Sequence, residues 1–288
     1  MNKRFSETAM LADLSTGHWR ARKHDKRVDA DVASRNNTTE KAGRYNKNLF
    51  PFEAPTYEAL TSAMARARLY HNEQTLPWSE DGERILLSAN HFDYNAGMRT
   101  RRRETENAWL EFVDDLPRLK EQSRLVTNGL FAEADWPDPV KLQRSFKFKL
   151  ELFPFPDVQD WRADISEIEL RGLKEQTEES VQARIAEAMK DPYRRLFEAV
   201  KKMADTLSGD GEGFRESLVD NIKRQVALIP KLNLVGDERL TDLGEEIIAA
   251  LTPFHVDSLR PKGHVRITVA ARAEELAADL KCYMGEAA

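Results

Sequence analysis

The hydrophobic positions in the second half of the chain recur at helical spacing. Apolar residues fall every three or four positions in five consecutive segments, which places them on one face of a helix in each segment. Short polar stretches separate the segments, and short connections favour antiparallel neighbours. The five apolar stripes lie at 181–189, 196–207, 214–229, 240–251 and 269–283. This pattern predicts a helical bundle over the C-terminal half of the chain.

The apolar period changes to two in the middle of the chain. From Phe146 to Leu152 apolar and charged residues alternate strictly, which is typical of a half-buried β-strand. Residues that could form an antiparallel partner strand follow after two prolines: Ala163, Ile165, Ile168 and Leu170. The expected fold class is therefore mainly α, with a C-terminal helical bundle and a small antiparallel β-hairpin near residues 144–170. We place the domain boundary after the hairpin, giving an N-terminal domain over 1–170 and a bundle over 171–288.

The N-terminal half also shows helical spacing. One helix is expected to begin after Pro55, and a longer one to run through Tyr94, Phe112 and Leu116. Pro117 suits the first turn of a helix, where its missing N–H group has no partner to lose. We therefore expect a new helix to begin at Pro117.

Composition narrows the class of protein. The 288 residues carry a net charge of −5, and 32% of them are charged, above the roughly 25% of an average domain. The apolar stretches are far shorter than the about 20 residues that cross a membrane, so no membrane partner is expected. A lone cysteine, Cys282, excludes an intramolecular disulfide and a cysteine-based zinc cluster. The basic start of the chain is not followed by the apolar core of a signal peptide, so a cytoplasmic location is expected.

The motifs of common catalytic chemistry are missing. None of the six histidines has the compact spacing of a metal-ligand pair, and no nucleophile elbow or phosphate-binding loop is present. We therefore assign no catalytic residue, no metal site and no cofactor. The sequence favours a non-enzymatic protein over an enzyme whose chemistry these motifs miss.

Charge is distributed unevenly along the chain. Residues 1–48 contain eleven basic and six acidic side chains, a local net charge of +5, so the remainder carries −10. A basic head on an acidic body can hold a polyanion, or it can dock on the acidic surface of another copy. Composition does not choose between these two interpretations.

Two segments of the basic head combine cations with aromatic rings. Nucleic-acid binding uses this combination, because cations replace counterions at phosphates and flat rings stack on unpaired bases. The alternatives are a docking arm for another copy, or a solvated arm held to the body by its two aromatic residues. The candidate nucleic-acid-binding residues are Trp19, Arg20, Arg22, Lys23, Lys26, Arg27, Arg44, Tyr45 and Lys47.

A second group of cations interrupts the apolar stripe of the long helix. It consists of Arg99, Arg101, Arg102 and Arg103. An unpaired buried charge is costly, so these side chains must reach the surface or meet acids, and Glu104 and Glu106 are close enough in sequence to pair with them. Local ion pairing is one interpretation; the more specific one is a patch that contacts phosphate or another subunit. Together with the basic head, this patch leads us to expect a homo-oligomer.

Three sequence motifs are distinctive in their order of residues. They are Trp19-x-Ala21-Arg22-Lys23-x-Asp25-Lys26-x-Val28, Gly43-Arg44-Tyr45-Asn46-Lys47, and Thr75-Leu76-Pro77-Trp78 followed by Asp81-Gly82-x-Arg84. Through them the chain resembles a group of uncharacterised proteins encoded by tailed bacteriophages. The similarity continues through Asp160-Trp161-Arg162 and the helix around Asn221. The resemblance implies a setting, the cytoplasm of an infected bacterial host cell, and it brings no activity, fold or site residue.

These observations lead to a functional hypothesis with one alternative. The expected function is non-enzymatic binding of nucleic acid, specifically single-stranded DNA, by an oligomer that acts in phage DNA metabolism. The alternative is a self-assembling structural or host-interaction protein whose basic head docks on an acidic neighbour.

Overall fold

The computed structural model describes residues 5–80, 82–157, 166–209, 215–254, 256–259 and 263–285. Several residues named above lie outside these ranges: Asp81, Asp160-Trp161-Arg162, Ala163, Ile165 and Phe214.

The secondary structure is mainly helical with a small antiparallel sheet, which confirms the expected fold class. The helices are α1 (Phe5–Thr8), α2 (Lys26–Arg35), α3 (Pro55–Glu73), α4 (His91–Thr127), α5 (Pro139–Ser145), α6 (Glu167–Ala188), α7 (Lys190–Ser208), α8 (Glu216–Leu232), α9 (Glu238–Leu251), α10 (Val256–Leu259) and α11 (His264–Tyr283). The strands are β1 (Ala9–Gly17), β2 (Arg22–His24), β3 (Asn46–Asn48), β4 (Leu76–Pro77), β5 (Arg84–Leu87) and β6 (Lys147–Pro154).

The chain divides into two compact units, each built from separate stretches of sequence. The bundle unit comprises Met1–Asp13, His71–Asn95 and Glu151–Ala288, and the head unit comprises Leu14–Tyr70 and Ala96–Leu150. The domain boundary proposed at residue 170 concerns which part of the chain folds alone, and it stays a prediction.

The core of the bundle unit is formed by the apolar stripes of its helices. α7 packs against both α8 and α11, and α8 packs against α9. Residues that the helical spacing places on inward faces, such as Val200, Ile222, Leu243 and Leu276, have no exposed surface. Burial of one such side chain stabilises the fold by roughly 1.5 to 3 kcal/mol. The predicted C-terminal bundle is therefore confirmed.

The larger sheet has the strand order β4-β5-β1-β6. The predicted strand near residue 147 is confirmed as β6, but its neighbour in the sheet is β1. The expected partner residues Ile168 and Leu170 lie in α6, so this part of the hairpin prediction is wrong. A capping box explains the difference: the Ser166 hydroxyl accepts the N–H of Glu169, whose carboxylate accepts the N–H of Ser166, so a helix begins there.

The long helix α4 continues through Pro117, and the expected helix start at this residue is wrong. Proline removes one hydrogen bond and crowds the carbonyl four residues earlier, here that of Val113. Phe112 and Leu119, on either side of the proline, are both fully buried. We attribute the continuity of α4 to this packing, which outweighs the local cost of the proline.

A partly buried polar network in the bundle unit involves Thr75 and Arg84 of the third motif. The guanidinium of Arg195 donates hydrogen bonds to the carbonyls of Asn72 at 2.8 Å, Glu73 at 2.9 Å and Thr75 at 2.9 Å, and Arg84 donates to the Thr75 hydroxyl at 2.7 Å. These cations satisfy carbonyls at the C-terminal end of α3, where a helix leaves them without partners. Burial lowers the pKa of Arg84 to about 10. Thr75 and Arg84 of this motif therefore have a structural role here.

Aromatic side chains form the centre of the head unit. The ring of Trp19 stacks on Phe112 with centroids 6.3 Å apart, and it lies 6.0 Å from Phe50 and 5.8 Å from Trp136. Aromatic pairs at such distances add roughly 0.5 to 1.5 kcal/mol to the effect of area burial.

Within the described ranges, no helix has the length and apolarity needed to cross a membrane.

Candidate nucleic-acid interface

The basic segments of the sequence form one small module in the head unit, residues 20–48, which we call the basic module. β2 and β3 pair in antiparallel fashion, with Arg22 opposite Asn48 and Lys23 opposite Lys47. Asp25 follows β2 directly and caps α2, because its carboxylate accepts the backbone N–H of Arg27 at 3.1 Å. The ribbon and the helix are thus joined without a linker.

Two aspartates near the start of α2 hold the module together. The backbone N–H of Asp25 donates to the carbonyl of Tyr45 at 3.0 Å. The carboxylate of Asp29 accepts the backbone N–H of Tyr45 at 2.6 Å and also bonds to His24 Nε2. The hydrogen bond from Tyr45, followed by that from His24, lowers the pKa of Asp29. Both carboxylates are therefore engaged inside the module, at a helix end that favours negative charge.

Lys47 belongs to the interior of the head unit. Its ammonium lies 3.0 Å from a carboxylate oxygen of Asp25 and 2.6 Å from one of Asp135, and it donates to the carbonyl of Leu130 at 2.8 Å. Burial alone would lower the pKa of Lys47, but the hydrogen bonds to Asp135 and Asp25 outweigh it and raise the pKa. Arg27 and Lys47 hold the pKa of Asp25 well below its usual range. The charge of Lys47 is thus matched internally.

The two aromatic candidates occupy different environments. Trp19 packs among the rings of the core, as described above. Tyr45 is 40% exposed and follows the exposed Arg44. Of the two rings, Tyr45 is the one placed to meet a ligand at the surface.

Most of the candidate cations are exposed to solvent. Five of the candidate cations are exposed and form no side-chain hydrogen bond or ion pair with a described residue: Arg20, Arg22, Lys23, Lys26 and Arg44. Arg27 is also exposed, but it pairs with Asp25 through Nε at 3.3 Å and Nη2 at 3.2 Å. Because the carboxylates of Asp25 and Asp29 are engaged inside the module, they do not neutralise these cations.

The arginines of α4 divide into two pairs. Arg101 pairs with Glu104 at 2.8 Å and Arg102 pairs with Glu106 at 2.8 Å, one helical turn away in each case. Arg99 and Arg103 are exposed and have no ion pair among the described residues. Local pairing thus explains half of this group, and two cations remain available to a partner.

Sequence reasoning did not identify the acids that organise the module. Asp25 has a usable signal, since an aspartate directly before a helical stretch is a typical N-cap. Asp135 has none, because it meets Lys47 only through the tertiary fold. Among the described residues, no group of three or more histidine, cysteine or acidic side chains is arranged to hold a metal ion.

Comparison with known proteins adds no relative. No model of a protein family, no curated protein and no solved structure matches the chain.

Proposed function

We propose that the protein binds single-stranded nucleic acid through the basic module, as an oligomer in phage DNA metabolism and without catalysing a reaction. The observation that supports this is that five candidate cations of one module are exposed and have no ion pair among the described residues: Arg20, Arg22, Lys23, Lys26 and Arg44. Cations of this kind bind phosphates by releasing the counterions condensed on the strand.

The exposed ring of Tyr45 favours a nucleic acid over an acidic protein surface. An acidic protein needs only the cations, whereas an unpaired base also offers a flat face on which a ring can stack. Tyr45 directly follows Arg44, so a ring and a phosphate-binding charge are adjacent in the chain. Since bases inside a duplex are already stacked, this arrangement favours a single strand.

The test measures binding of a labelled oligothymidylate to the full-length protein by fluorescence anisotropy. Log K is expected to fall with log salt by roughly 0.7 per phosphate contact. Arg22→Ala with Lys23→Ala should weaken binding strongly. Lys201→Ala with Lys202→Ala is the matched control, because it removes two adjacent exposed cations from α7 in the bundle unit.

Three outcomes contradict the proposal. Absence of binding by the wild type at low salt would rule out a nucleic-acid partner. Equal weakening by the two double variants would rule out the basic module as the site. If the wild type fails to bind and its assemblies dissociate in salt, the basic head docks on an acidic neighbour instead.

A further inference from the structure

An apolar cleft of about 300 Å³ opens beside the basic module in the head unit. This size lies at the lower end of the roughly 300 to 1,000 Å³ of small-molecule pockets. Its walls come from β3, the C-terminal end of α4 and the segment after α4. The residues that line it include Tyr45, Asn48, Val126, Leu130, Phe131 and Trp136.

Aromatic rings line the cleft. Tyr45, Phe131 and Trp136 contribute three rings to its walls. Trp136 is only 9% exposed, whereas Tyr45 is 40% exposed and offers a ligand more of its ring surface. Nucleobases have a flat π-face that stacks on such a ring.

Cations border the cleft. Arg22 lies directly opposite Asn48 in the β2–β3 ribbon, so both side chains project from the same face, and Asn48 lines the cleft. The guanidinium of Arg124 stacks over the ring of Phe131, 4.8 Å from its centroid, but it also pairs with Glu121 at 3.5 Å and Glu133 at 3.3 Å. Of these two arginines, Arg22 is the one without an ion pair among the described residues. A strand whose phosphates contact Arg22 can therefore reach the cleft with one of its bases.

A second cleft on the basic module provides a contrast. It has a volume of about 380 Å³ and lies between α2 and the segment before β3, where Asp29 and Glu40 contribute carboxylates to its wall. Fixed negative charge disfavours a polyanionic strand. No acidic residue is found among the described residues that line the first cleft.

We infer that the cleft lined by Tyr45, Phe131 and Trp136 holds one unpaired nucleobase of the strand that the basic module binds. This inference rests on the proposed function and deepens it. The cations hold the phosphates, and the cleft adds a contribution that depends on the base.

The experiment compares two labelled strands of equal length and charge on the full-length protein, one of thymidylate and one of abasic deoxyribose-phosphate units. The wild type should bind the thymidylate strand roughly tenfold more tightly, as expected for one stacked base. Val126→Trp fills the cleft and should bring this ratio close to one. Leu125→Trp is the matched control, since Leu125 is the exposed neighbour in α4 and does not line the cleft. Tyr45→Leu removes the ring without adding bulk, and it should also lower the ratio.

The outcomes separate this inference from the proposed function. Tight binding of both strands with a ratio of one in the wild type overturns the base-holding cleft and leaves the proposed function intact. No binding of either strand overturns the proposed function itself. An equal fall of the ratio in Val126→Trp and Leu125→Trp, or an unchanged ratio in Tyr45→Leu, places the base elsewhere and overturns the assignment of the cleft.

Discussion

Lys47 and Lys26 lie in the same module, but one is buried in an ion-pair network and the other is exposed to solvent. Lys47 is enclosed by two carboxylates and a carbonyl, and its side chain is 5% exposed. Lys26 begins α2 in solvent and has no ion pair among the described residues. Removing one partner of a buried ion pair leaves the other charge without compensation, whereas an exposed cation loses little.

We therefore expect Lys47→Met to lower the free energy of unfolding by about 3 kcal/mol, because Asp25 and Asp135 lose their shared cation. Lys26→Met, the matched control, should change it by no more than about 0.5 kcal/mol. Urea denaturation followed by circular dichroism measures both. A loss below about 1 kcal/mol in Lys47→Met would show that the triad of charges contributes little to stability.

At the scale of single elements, α4 shows packing overriding local preference. Its 37 residues include Pro117, which lies between two fully buried side chains and is itself exposed. Because proline has no N–H group, the carbonyl of Val113 lacks its helical hydrogen bond, and this lowers the stability of the folded state. Pro139 differs, because it begins α5 directly after the N-cap Asp138, where its N–H would have no helical partner.

We predict that Pro117→Ala raises the free energy of unfolding by about 1 to 3 kcal/mol, since alanine restores the hydrogen bond and relieves the crowding. Pro139→Ala should bring no such gain. Thermal and urea unfolding of the two variants test this difference. An unchanged or lowered stability in Pro117→Ala would mean that α4 has already adapted to the proline, for example by a bend that alanine does not reverse.

For the whole molecule, the expected oligomer stays a prediction, and the exposed side of α4 is where we expect the contact between copies. Arg99, Arg103 and Leu110 are spaced so that they share one face of the helix, and Leu110 is 64% exposed. The two arginines have no ion pair among the described residues, while the chain outside its basic head is strongly acidic. Such a face is suited to an acidic surface on another copy.

We therefore predict that light scattering at tens of micromolar protein gives a mass above the 33.0 kDa of one chain. Arg99→Glu with Arg103→Glu should dissociate the assembly. The control Arg101→Glu with Arg102→Glu reverses the same amount of charge at the two arginines already paired within α4, and it should have a smaller effect. A monomer mass for the wild type would contradict the prediction.

Elements that depend only on residues close to one another in the chain could be predicted from the sequence. The stripes of the bundle helices follow from apolar residues three and four positions apart, and β6 follows from strict alternation. Local periodicity suffices here because helix or strand geometry sets the face of the element on which each side chain lies.

The tertiary structure alone decided which residues meet across long stretches of sequence. β1 escaped prediction because its apolar residues do not alternate, and pairing with β5 and its place beside β6 make it a strand. The same holds for the candidate site: Lys47 is buried because Asp135 and the Leu130 carbonyl come to it from a distant segment, and Trp19 is enclosed by Phe112 and Trp136. The sequence does not show whether a basic or aromatic side chain faces water or contacts another side chain of the fold. Only the fold supplies the matching charge or ring, and that match decides whether the side chain stabilises the interior or remains exposed to bind a ligand.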